Sequence, residues 1–181
     1  MVETVKSLSR SKARLFAKLI RETFNLGSSK VDIARLLEKL PNINENMNVE
    51  IVDDEEMAKG DYAYFVPDFE NGKSVIIISN KVYESACTSG STSGRDRMTI
   101  AHEIAHYFLM MNFGYRPIEK YRSGQVSPSN DPEWQAKALA GEIMMPFEET
   151  DSFTNPSDLA NEFGVSFDAA DYRINGYGKI K

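Results

Sequence analysis

The sequence predicts an α+β fold: a small, mostly antiparallel sheet, an apolar helix packed on it, and a C-terminal pair of short helices. Three observations carry this. Short runs rich in β-branched and aromatic residues fall between residues 49 and 79. Apolar residues recur at helical spacing before and after that segment. Leu159 to Ala170 reads as a helix-turn-helix-like pair with Gly164 in its turn.

The elements follow in order. Residues 1–21 hold Lys6, Arg10, Lys12, Arg14, Lys18 and Arg21 against Glu3, a local charge of +5. Leu8, Leu15, Phe16, Leu19 and Ile20 alternate with them, the pattern of an amphipathic helix with its apolar side on its own domain. Ser28 or Ser29 is expected to cap a second helix that stops at Pro41. Strands are expected at Val49–Val52, Asp61–Val66 and Ser74–Ser79, with a turn at Asn71-Gly72. Residues 88–94, rich in Ser, Thr and Gly, read as a loop.

The next helix carries the most informative run, His102-Glu103-Ile104-Ala105-His106, which holds the only two histidines of the chain. Positions i and i+4 share a helix face, so two imidazoles can meet one zinc ion. Glu103 beside them is placed to work as a general base on an attacking water. Ile100, Ile104 and Phe108 repeat every fourth position, which predicts a buried stripe and rigidly held ligands. Asp96 or Ser93 is the expected cap.

A catalytic zinc usually takes three protein ligands. With no further His, the third should be a carboxylate: Glu119, Asp131, Glu133 or Glu142. Asp131-Pro132 looks like a helix start and Pro146 a helix stop. Glu133 and Glu142 lie two and a half turns apart on that helix, so at most one faces the metal. Spacing alone does not choose between them.

Composition sets outer bounds. The chain has 181 residues and a formal charge of −6, which leaves −11 outside the basic N-terminal segment. That balance argues against direct nucleic-acid binding, and Asp168 and Asp171 on the last helix argue the same. One cysteine, Cys87, excludes an intramolecular disulfide and fits a reducing interior. No signal peptide or membrane span is visible, so the protein is expected to be cytoplasmic, with no membrane partner.

Ile100-Ala101-His102-Glu103-Ile104-Ala105-His106-Tyr107, with Glu133-x-x-Ala136-x-x-x-Ala140-x-x-Ile143-Met144-Met145-Pro146 downstream, resembles the ImmA/IrrE family of bacterial and phage metallopeptidases. The resemblance implies a minimal zincin-like domain over residues 1–150, with residues 151–181 a helical extension of the same unit. It implies one catalytic zinc held by His102, His106 and Glu133, with Glu103 catalytic. It also implies a substrate class, a helix-turn-helix transcriptional repressor cleaved to derepress genes. Two positions depart from the family pattern. Lys137 stands where Asn or Asp is usual, and a lysine cannot accept a hydrogen bond from a ligand histidine. Leu139 replaces Phe. The alternative is a weak or inactive peptidase fold that binds a repressor without cutting it. Tyr107, Tyr115 and Tyr121 are the candidates for stabilising an oxyanion.

Overall fold

The computed structural model describes residues 6–116 and 127–176. Helix α1 (Arg10–Phe24) is capped by Ser9, whose side chain accepts from the Lys12 amide. It buries Ala13, Phe16, Ala17, Ile20 and Phe24 against the core. Leu15 and Leu19, counted into the apolar side from sequence, are exposed. Helix α2 (Ile33–Ile43) is capped by Asp32, which accepts from the Arg35 amide, rather than by Ser28 or Ser29. It continues past Pro41. In the last turn the proline forfeits a single backbone bond, and burial of Leu36, Leu37 and Leu40 on one face offsets that.

Three strands form one sheet, β1 (Met47–Val52), β2 (Ala63–Asp68) and β3 (Lys73–Ser79), in the order β1-β3-β2. The sheet is mixed: β3 pairs with β2 antiparallel through the Asn71-Gly72 turn and with β1 in parallel. Gly72 has φ 68°, which that tight connection needs. This order leaves β2 at an edge. Ser79 N–H donates to Tyr62 O at 3.0 Å. Strand alternation then turns the backbones of Tyr64 and Val66 toward β3 and those of Ala63 and Phe65 outward.

Ser79 ends β3 and at once caps α3 (Asn80–Cys87), a helix the sequence reading did not anticipate. Helix α4 (Ser93–Tyr107) carries the two histidines and packs on α3, on β2 and on α5 (Pro132–Met144). Ile100 and Ile104 are fully buried and Phe108 nearly so, as the stripe predicts. The expected caps are not used: Thr92 precedes the helix and makes no side-chain cap bond. Ser93 is already helical and buried, and Asp96 sits one turn in, ion-paired with Arg95 at 2.8 Å.

Helices α6 (Phe147–Thr150), α7 (Pro156–Phe163) and α8 (Phe167–Asp171) follow, joined by short turns, and a π-helical turn over Tyr172–Gly176 ends the described chain. Gly164, at φ 64°, closes α7 in the left-handed region and makes the sharp turn into α8. That turn docks against the start of α4. A Cβ on Gly94 would lie 2.4 Å from the Val165 carbonyl oxygen, so only glycine permits the approach. Arg97, buried one turn along, locks the junction. Its Nε donates to Gly164 O at 2.6 Å and its Nη1 to Thr88 O at 2.9 Å and Ala86 O at 3.2 Å. One guanidinium thereby satisfies carbonyls at the C-terminal ends of both α3 and α7, where helix dipoles favour a cation. The core is thus continuous from α1 to the C-terminal pair. Among the described residues no helix is long and apolar enough to cross a membrane.

Candidate metal centre

Glu133 is the second residue of α5. Asp131 caps that helix, accepting from the Glu133 amide at 2.9 Å, and Pro132 takes the first helical position. The cap orients the first turn so that the Glu133 side chain points at α4. His102 and His106, one turn apart, point back. The His102 Nε2 lies 3.1 Å from Glu133 Oε2, and the His106 Nε2 lies 3.2 Å from Glu133 Oε1. The two Nε2 atoms are 3.1 Å apart, with the rings nearly perpendicular at 85°.

These separations test whether the set suits a metal. Tetrahedral zinc with ligands at about 2.1 Å sets neighbouring donors roughly 3.4 Å apart, within a few tenths of an ångström of what is found. The chemistry agrees. Two imidazole nitrogens facing one another and a carboxylate form a group rich in lone pairs and short of protons. Hydrogen bonding to His102 and then His106 holds the Glu133 carboxyl well below the usual carboxylate range, so it stays anionic and available to a cation. Nδ1 of His106 is buried and makes no hydrogen bond among the described residues, so packing orients that ring.

Glu103 lies against β2, within hydrogen-bonding reach of the Phe65 backbone. It is 7% exposed, and burial lifts its carboxyl to about 7, against the pull of His102. Glu133 adds to the rise, and a backbone hydrogen bond from Phe65 opposes it. A carboxyl poised near neutrality can both take and return a proton.

The remaining sequence candidates go elsewhere. Asp131 is the cap. Glu142 points away from the histidines and forms a bidentate pair with Arg173, at 3.0 and 2.7 Å. Glu119 and Tyr121 lie outside the described residues. The Tyr107 hydroxyl accepts from Asn44, and that of Tyr115 is buried with no hydrogen bond among the described residues. Aromatic packing explains both: Tyr107 meets Phe65 and Phe108, and Tyr115 meets Phe16. Lys137, one turn beyond Glu133, is exposed and lines a cleft with His102, Thr99 and Ala140. Nothing in the local sequence marks that cleft, which forms only where α4 and α5 meet.

A helix bearing His-Glu-x-x-His, crossed by a second helix that contributes a carboxylate and flanked by an edge strand, defines a minimal zincin-like fold with a site able to hold a metal ion. Residues 88–175 match the family model described as Peptidase_M78, IrrE N-terminal-like domain, which supports membership of the ImmA/IrrE family. The matched segment contains His102, Glu103, His106, Glu133 and the C-terminal helical pair, so it runs across residue 150. Among curated proteins no match to the chain is found.

Proposed function

We propose that this protein is a zinc-dependent endopeptidase that cleaves a partner protein, a helix-turn-helix repressor, and so relieves repression. The observation that carries the hydrolase reading is the convergence of His102, His106 and Glu133, whose ligand atoms all lie within 4.8 Å of one another. Zinc held there supplies a Lewis acid that activates water and polarises a peptide carbonyl. Glu103 takes the proton from the attacking water and passes it to the departing amine, a shuttle suited to its raised pKa. The outward backbone groups of Ala63 and the Phe65 carbonyl are placed to pair with an extended substrate, adding a strand beside β2, while the Phe65 N–H holds Glu103. Burial of Glu103 under β2 keeps bulk water from competing for its proton.

The repressor substrate rests on family membership and on no feature of the site. A cytoplasmic location accords with the free Cys87. A second reading, a regulator that binds without cutting, draws support from Lys137. This cation beside His102 replaces the amide or carboxylate usual in the family. Two measurements separate the readings: metal content after purification, and incubation of the zinc-loaded protein with the product of a neighbouring repressor gene. Defined fragments that vanish in Glu103→Gln support the peptidase. A stable complex with intact repressor and bound zinc supports the regulator.

A further inference from the structure

Gly141 sits inside α5, where glycine is the least favourable residue after proline. At Gly94 a Cβ would collide with backbone, but a Cβ on Gly141 would meet nothing within 4 Å. Packing therefore does not require this glycine. Its missing side chain opens onto a cavity of about 420 Å³ between α4, α5 and α8, walled by Met98, Trp134, Ala138 and Met145. Lys137 and Asp168 stand at its polar rim, both exposed. Met98 and Lys137 also line the cleft that reaches His102, so cavity and metal group share one trough. Met98 precedes His102 by one helical turn, and Gly141 follows Glu133 by two, so both helices run from the site to the cavity.

We infer that this cavity is a specificity subsite that takes one large apolar side chain, Leu, Met or Phe, of the substrate near the bond to be cut, and that Gly141 keeps it open. The occupant follows from the lining. The walls are thioether, indole, phenol and methyl groups, and the two guanidinium groups nearest them are engaged, Arg173 by Glu142 and Arg10 by the Tyr172 hydroxyl and the Trp134 ring face. Two methionines and a glycine leave room for aromatic shapes and for aliphatic ones not branched at Cβ. The inference rests on the peptidase reading, and the test separates the two.

Trp134 is the only tryptophan of the chain and lines the cavity, so its emission reports occupancy directly. The probes are capped hexapeptides of Ala and Ser in which a single Leu, Met or Phe is moved along the chain. They are titrated into full-length Glu103→Gln, which does not consume them. The expected result is a saturable change in Trp134 emission, with one register bound roughly 10- to 100-fold more tightly than its Ala counterpart. Gly141→Leu in the same background fills the cavity and should erase that ratio while leaving the melting temperature at or above its former value. Gly141→Ala should reduce the ratio by less and serves if the leucine variant folds poorly. Silent Trp134 emission, or a ratio unmoved by both substitutions, overturns the subsite. Cleavage of the same peptides by zinc-loaded wild type is the separate arm. Binding without cleavage leaves the subsite standing and defeats the hydrolase. Cleavage without apolar preference does the reverse.

Discussion

Glu133 and Glu142 stand on the same helix, nine positions apart, and their surroundings are opposite. The Glu142 side chain is 1% exposed and is gripped by Arg173, with Arg14 Nε at 3.3 Å. The Glu133 side chain is 49% exposed and faces two imidazoles, and among the described residues it makes no ion pair with an Arg or Lys. One carboxylate has its counter-cation built into the chain. The other meets the imidazole nitrogens of His102 and His106 instead. A buried charge without a partner is strongly destabilising, so a carboxylate that serves the fold must be paired internally. A carboxylate that serves an external cation must stay unpaired and near solvent.

Exchanging the two fates should break or sharpen this contrast. The largest effect is on metal and catalysis. Glu133→Ala should weaken zinc binding at least ~100-fold, read by metal analysis and competition with a chelator, while Glu142→Ala leaves the zinc affinity of the folded protein unchanged. Glu103→Gln should keep the zinc and slow cleavage by about 10³-fold. Equal zinc loss in Glu133→Ala and Glu142→Ala would dissolve the distinction.

Stability should follow the reverse order. Glu142→Ala strands Arg173 in the core and should cost about 3–5 kcal/mol in denaturant unfolding, whereas Glu133→Ala in the metal-free protein should cost no more than ~1 kcal/mol. Replacing both partners, Glu142→Leu with Arg173→Met, should recover most of the loss. A double variant as unstable as the single one would mean that the pair stabilises beyond charge compensation.

Glu103 gives the next smaller effect, and its sign is opposite to that of a paired carboxylate. Its folded pKa of about 7 lies above the ordinary 4.5, so the folded state holds the proton more tightly. The resulting stability is complete below the ordinary value and is lost as pH rises through about 7. Metal-free Glu103→Gln lacks this loss and should gain roughly 3 kcal/mol on the wild type between pH 5 and 8. Parallel stability curves for the two proteins across that range would show that burial does not load Glu103.

The smallest effects separate the two glycines. Gly94→Ala should cost ~1–3 kcal/mol, because its Cβ strikes the α7–α8 turn. Gly141→Ala should stabilise by up to ~1 kcal/mol. Thermal unfolding measures both, and a loss in the second would mean that the glycine has a packing role after all.

Much of the site was legible because its signals are local. His102 and His106 depend only on the helical repeat, and Asp131-Pro132 and Pro146 bracket α5 through capping and ring sterics. The turn at Asn71-Gly72 and the run of β-branched residues in β3 are equally local. Helix α3 escaped because Ser79 closes a strand and caps a helix without an intervening breaker. The caps of α2 and α4 escaped because several Ser, Thr and Asp residues compete nearby, and burial decides among them. Tyr107 and Tyr115 pack their rings among aromatic residues of the core, a placement set by contacts far apart in the chain.

The amino-acid order alone determined which side chains can share a helix face, where α5 starts and stops, and that Glu133 and Glu142 cannot both look at the histidines. Only the tertiary structure decided that Glu133 is the one that does, that β1 joins β3 in parallel and leaves β2 at the edge, and that a trough opens beneath Gly141. Helical periodicity and capping act within a few residues, so a linear text records them. Which helix crosses which is settled by burial of surfaces far apart in the chain, and no short stretch of sequence contains that information.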